Sequence, residues 1–147
     1  MISSLNVQLP DKNRNYTTVD AKNINEVLVR REHALPDIKA KLQTTNDEKE
    51  IVGCLYLLDI MLDKGVKGVD TLYPELSRFN DTDSPNIQTF LAGIYRKTKV
   101  PDAFGPLVNM LIGNSIKNAH NKINGIQTEQ LFDPNEEIGG AIIDYLA

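Results

Sequence analysis

The chain has 147 residues, a net charge of −4, 41% hydrophobic and 24% charged residues, and a single cysteine. This length suits one domain that buries roughly 68–70% of the surface its unfolded chain exposes, so neither a metal nor a disulfide is needed for folding, and the lone Cys54 excludes an intrachain disulfide. With no Trp and 6% aromatic residues, an aromatic platform for sugars or bases is disfavoured, and the acidic balance removes long-range attraction to a phosphate backbone.

Residues 1–20 are polar and interrupted by Pro10. They read as a flexible arm, with at most a short strand-like alternation at Leu5-Asn6-Val7-Gln8-Leu9. They lack the basic start and continuous apolar run of a secretory signal. The longest apolar segment, residues 51–62, is stopped by Asp59 and Asp63, well short of the roughly 18 apolar residues of a membrane span. The expectation is a soluble, cytoplasmic protein without membrane association.

From residue 21 to 147 the spacing is helical, which predicts a single α-helical domain. Ile24, Val27, Leu28 and Arg31 fall on the face of a first helix, with Asp20 or Asn23 as cap. A second starts around Pro36, with Leu35, Ile38 and Leu42 as its stripe, and Thr44 to Asp47 end it and cap the next. The third carries Ile51, Leu55, Leu58 and Leu62. Val52, Cys54, Tyr56, Leu57, Ile60 and Met61 widen that face until the helix is apolar nearly all round, which suits the middle of a stack. Gly65 and Gly68 close it. Val69, Leu72, Tyr73, Leu76 and Phe79 mark a fourth helix, and Ser84 before Pro85 starts a fifth with Ile87, Leu91 and Ile94. Arg96, Lys97 and Lys99 lie at its end, where the helix dipole favours cations. Phe104, Leu107, Val108, Leu111 and Ile112 define a sixth helix running to about Ile116. Lys117 to Gly125 read as an Asn-rich loop or frayed end, and Glu129 to Phe132 as a single turn. Asp133 to Glu137 begin a last short helix faced by Ile138, Ile142 and Tyr145.

Two helix types alternate. One shows Ile51-x3-Leu55-x2-Leu58 and then Ile87-x3-Leu91-x2-Ile94, with Ile24-x3-Leu28-x2-Arg31 as a poorer terminal copy. The other opens on a proline with an apolar residue two positions later: Pro36 and Ile38, Pro74 and Leu76, Pro106 and Val108. Proline spacings of about 30 to 40 residues are those of helix-pair solenoids. Asn86 to Ile94, the turn at Pro101-Asp102, and Phe104 to Leu111 together resemble a HEAT repeat, and Asp70 before Leu72-Tyr73-Pro74-Glu75-Leu76 echoes Asp102. The resemblance covers roughly residues 24–116, although the turn after Leu62 is longer than the family pattern. It implies an all-α fold: a short right-handed solenoid of antiparallel helix pairs, preceded by the arm and closed by a C-terminal capping helix.

Residues for chemistry are sparse. His33 and His120 are far apart and do not combine with Cys54 at any familiar zinc spacing. Asp81-Thr82-Asp83 begins like a calcium loop, but Asn86 stands where a glycine is needed and Ala92 where a bidentate glutamate is needed. Gly139-Gly140 lacks the lysine of a phosphate loop. No catalytic, metal or cofactor-binding residue is nominated, and a non-enzymatic role is expected. Arg30, Arg31, Lys39 and Lys41 form one basic cluster, and Arg96, Lys97 and Lys99 another. HEAT-like DNA glycosylases use a basic concave face, so the resemblance makes nucleic-acid binding the alternative, set against the net charge of −4. An enzyme subunit with an unrecognised site is a further alternative. The expected role is a protein–protein interaction or scaffold module that binds another protein or peptide along the second helix of each pair, with Lys39, Tyr73, Arg78 and Asn109 as candidate contact residues.

Overall fold

A computed structural model describes residues 4–125 and 133–147. The single turn expected at residues 129–132 lies outside them. The described chain is mostly helical, with a small antiparallel sheet of β1 (Val7–Gln8) and β2 (Thr18–Val19). The helices are α1 (Ala21–Arg30), α2 (Leu35–Thr44), α3 (Glu48–Asp63), α4 (Tyr73–Leu76), α5 (Pro85–Thr98), α6 (Phe104–Ile123) and α7 (Pro134–Leu146).

The starts follow from side chains that satisfy free backbone N–H groups. Asp20 accepts from the Lys22 amide, Asp47 from Lys49, Ser84 from Ile87 and Asp133 from Asn135. Three helices are instead entered through a 3-10 turn: Arg31–Ala34 before α2, Val69–Leu72 before α4 and Pro101–Ala103 before α6. Each of these junctions buries an apolar pair four residues apart: Ala34 and Ile38, Leu72 and Leu76, Ala103 and Leu107. That spacing places both side chains on one face.

The first helix type is as its spacing predicts, because Ile51, Leu55 and Leu58 in α3 and Ile87, Leu91 and Ile94 in α5 are all buried. Other details differ. In α1 the buried residues are Asn23 and Val27, so the face is turned from the Ile24 and Leu28 line. After Pro106 the buried side chain is Leu107, while Val108 is half-buried. The fourth predicted helix is a 3-10 turn, the four residues of α4 and a second 3-10 turn at Ser77–Phe79. The Ser77 hydroxyl donates to the Pro74 carbonyl at 2.8 Å. Finally, α6 continues to Ile123, through residues expected to form a loop or a frayed helix end.

Helices α1, α3, α5 and α7 contact one another in that order, α2 contacts α3 and α4, and α6 packs on α7. The core runs through all of them. Residues 4–20, expected as an arm, pack against it. β1 lies on α3, Val7 and Val19 are buried, and a Cβ on Gly53 would meet Val7 Cγ2 at 2.6 Å. The absent side chain of Gly53 is what lets the strand approach α3. Asn23, buried beneath the strand, accepts from the Asn6 amide at 3.2 Å and donates to the Ser4 carbonyl at 3.2 Å.

Polar contacts join successive layers. The Tyr73 hydroxyl donates to the Asp102 carbonyl at 3.0 Å and the Tyr145 hydroxyl to the Val100 carbonyl at 2.7 Å. Lys97 pairs with Asp59 and Asp63, each at 2.7 Å, tying α5 to α3. Arg96 pairs with Glu137 at 3.5 Å and hydrogen-bonds Asp144, tying α5 to α7.

Candidate interaction surface

The residues expected to contact a partner occupy different environments. Lys39 is exposed on α2. Tyr73 is half-buried and packs its ring against Tyr95 at 5.6 Å. Its hydroxyl joins a chain in which Tyr95 donates to Asn80 at 2.6 Å, Asn80 to Tyr73 at 3.5 Å and Tyr73 to the Asp102 carbonyl. Arg78 lies over the Phe79 ring at 5.0 Å. Its guanidinium donates to the Leu42 carbonyl and to Asn46 Oδ1, the latter at 3.3 Å. Leu42 is in the last turn of α2, where carbonyls lack intrahelical partners and cations are favoured. Tyr73 and Arg78 therefore hold neighbouring segments together. Asn109 is exposed on α6 and lines a shallow cleft of about 210 Å³ with Asn80, Asp83, Gln88 and Lys117; Lys39, Tyr73 and Arg78 do not line it.

The surface that stands out is on α6. Its core side is made by Leu107 and Met110, both buried, and by Asn114. The Asn114 amide donates to Gln88 Oε1 at 2.8 Å and to Asn135 Oδ1 at 2.9 Å. At about 100° per residue, Ile112, Ile116, Ala119 and Ile123 lie within roughly 60° of one another, directly opposite that side. Ile112 is 52% exposed, Ile116 65% and Ile123 84%. Isolated exposed apolar residues are ordinary, whereas a row of them on one helix face is a candidate interaction surface. Asn109 stands one turn before Ile112 on the same side. The sequence carries this signal in its 4-3-4 spacing, which goes unread once the polar Lys117–Gly125 stretch is taken as a loop.

A separate cleft of about 610 Å³ lies between the loop joining β1 to β2 and helices α5 and α7, lined by Tyr16, Phe90, Arg96, Glu136 and Glu137 among others. Arg96 and Glu137 pair with each other there, and Asp133 caps α7. Four of the seven residues in the basic clusters are paired with carboxylates. Arg30 pairs with Asp37 at 2.8 Å and Glu26 at 3.8 Å, Lys41 pairs with Glu50 at 3.1 Å, and Arg96 and Lys97 are paired as above. The Arg96 pairing raises its pKa, with the Asp144 hydrogen bond foremost. Lys97 is also raised: burial works against its charge, and the hydrogen bonds from Asp59 and Asp63 outweigh that.

Among the described residues no group of three or more His, Cys, Asp or Glu could hold a metal ion, and no helix is long and apolar enough to cross a membrane. Burial pushes the Cys54 thiol up to about 12 and raises Tyr95 as well. Both sit in the helical core. Comparison with protein-family models finds no match to this chain, and comparisons with curated proteins and with solved structures likewise find none.

Proposed function

We propose that this chain is a non-enzymatic interaction module: a short right-handed solenoid of antiparallel helix pairs, HEAT-like, that binds another protein or peptide on the outward faces of its second helices. The observation that carries the reading is the exposed Ile112–Ile116–Ala119–Ile123 row on α6, opposite its buried side. The repeated architecture supports it. The first helices of each pair contact one another in chain order, and α2, α4 and α6 are each entered through a 3-10 turn that buries an i,i+4 pair. In this reading α7 caps the stack, as an end repeat requires. Lys39 and Asn109 are free to contact a partner, whereas Tyr73 and Arg78 act by holding the surface in shape.

Nucleic-acid binding is the weaker reading, because Arg30, Lys41, Arg96 and Lys97 are already matched by carboxylates. The test is affinity capture from native lysate with the full chain at low and moderate salt. A protein retained at moderate salt, and cross-linked to α2 or α6, is the expected result. Nucleic acid retained only at low salt, with no specific protein, would overturn the proposal.

A further inference from the structure

We infer that the outward face of α6 pairs with the same face of a second copy of this chain, the two helices antiparallel about a two-fold axis between Ile116 and Ala119. The inference rests on the interaction-module reading and names the protein that this row receives. Ile112, Ile116, Ala119 and Ile123 are spaced 4-3-4, the alternation by which one helix seats its side chains between those of another. The row also reads the same in both directions, so a reversed copy falls into register. Ile112 then faces Ile123 of the second copy, and Ile116 faces its Ala119. Side-chain size fits this pairing. Each central layer sets a large residue against a small one, so the two helices interdigitate. Parallel pairing would set Ile116 on Ile116 and leave a gap where Ala119 meets Ala119. A second copy supplies the complementary size order by symmetry, because a two-fold interface uses one patch twice.

Past Asn114, which bonds Asn135 of α7, every residue to Ile123 is exposed except the half-buried Asn121. A helix end of this length is marginal by itself in water. The exposed parts of Ile112, Ile116 and Ile123 amount to about two whole isoleucine side chains per copy that pairing would bury. Charge agrees with self-pairing. No Asp or Glu occurs from Ala103 to Gly125, so the acids behind the net charge of −4 lie on other elements, and their repulsion is screened beyond about 8 Å at physiological salt. Lys117 lies behind the row, lining clefts with Asp81, Asp83 and Asp133. Gly113 and His120 flank the row on one side, and Ser115 and Lys122 on the other. In an antiparallel pair each flank meets its own kind in reversed order. Lys122 then lies beside Ser115 of the second copy and His120 beside its Gly113, so no like charges are opposed. The seam is 12 residues long, about 18 Å of helix about 10 Å across. That is smaller than the roughly 800 Å² per partner of a standard interface, so the pair is weak and reversible.

The test is sedimentation velocity on the full chain from about 5 to 500 μM, where a monomer–dimer exchange with a Kd of about 10–300 μM is expected for a seam of this size. Variants at these exposed positions are checked for folding by circular dichroism. Ile116→Ala and Ala119→Ile should each weaken the dimer about tenfold, the first by emptying the central layers and the second by overfilling them. The double variant restores large against small and should return the Kd to within about threefold of the parent. Association that merely follows hydrophobicity would instead strengthen with Ala119→Ile. Orientation is read by mixing Ile112→Cys chains with Ile123→Cys chains under oxidation, the native Cys54 being buried. Disulfides should join one variant to the other. A monomer at every concentration, tighter pairing with Ala119→Ile, a double variant as weak as the single ones, or Ile112→Cys chains joined to each other would each overturn the inference. If the chain stays monomeric but holds a lysate protein that Ile116→Glu releases, self-pairing falls and the interaction module stands. If it stays monomeric and holds no protein, both fall.

Discussion

At the scale of single residues, the candidate contact positions divide into those with structural work and those without. Arg78→Met removes the donors to Leu42 and Asn46 and the guanidinium over Phe79. Hydrogen bonds from a charged group contribute about 1.5–3 kcal/mol, reduced here because Arg78 is surface-accessible. A loss of about 1 kcal/mol in urea unfolding is expected. Lys39→Ala, exposed on α2, should stay within about 0.5 kcal/mol of the parent. Only Lys39 and Asn109 can therefore report binding without a stability change. Cys54 gives a separate prediction. The thiolate is the reactive form, and burial raises the thiol from 9.0 to about 12. Between those values the unfolded chain has released a proton that the folded chain keeps. The contribution to stability is thus complete below pH 9 and declines as pH rises towards 12. Cys54→Ala should flatten part of the alkaline fall in stability, with the raised Tyr95 and Tyr145 groups leaving the rest. In the parent, labelling by a thiol reagent at pH 8 should be slow unless denaturant is added.

Among elements, the sequence makes legible whatever depends on local periodicity. The faces of α3 and α5 and the caps at Asp20, Asp47, Ser84 and Asp133 are encoded within one or two turns of chain. Of the small sheet, β1 falls within the alternation legible at Leu5 to Leu9, but β2 is two residues long, and nothing near Val7 says that Val19 will lie opposite it. The available clue was Gly53, a helix-weakening residue inside the most apolar helix. In α1 Val27 is buried as its spacing predicts, but Asn23 is buried as well, for its bonds to the Asn6 and Ser4 backbone, a polar use that apolar counting cannot see. The exposed row on α6 is hidden for the opposite reason: Ile116 and Ile123 are largely exposed, so their polar neighbours make this stretch of helix resemble a loop or frayed end. Gly53 yields a test of this account. In an exposed helix Gly→Ala is stabilising by about 1 kcal/mol. Here the new methyl meets Val7 Cγ2 at 2.6 Å and Leu5 Cδ1 at 3.3 Å, so Gly53→Ala should destabilise by about 1–3 kcal/mol, the range for overpacking. Combined with Val7→Ala it should cost less than the sum of the two changes. Additive effects in a double-mutant cycle would mean that the strand does not press on α3.

For the molecule as a whole, the packing of residues 4–20 decides how binding experiments must be designed. The hairpin packs on α3 beside α1, which follows α3 in the order α7, α5, α3, α1. Deleting residues 1–19 would remove buried Val7 and Val19 from the core, and take from Asn23 both backbone partners. Each valine contributes about 1.5–3 kcal/mol as an upper estimate, so a total loss of about 3 kcal/mol is reasonable against a domain stability of roughly 5–15 kcal/mol. For a chain of this size that corresponds to a melting temperature lower by about 6–12 °C, measurable by scanning calorimetry. A partner lost on this deletion would then reflect a loosened helical body as readily as a missing contact. Tyr16→Ala separates the two, because Tyr16 is exposed on the hairpin loop and its ring contacts the Arg14 side chain at 5.2 Å. It should leave the melting temperature nearly unchanged. If the deletion instead melts with the parent, the strand adds nothing to the core, and its approach to Gly53 has no energetic consequence.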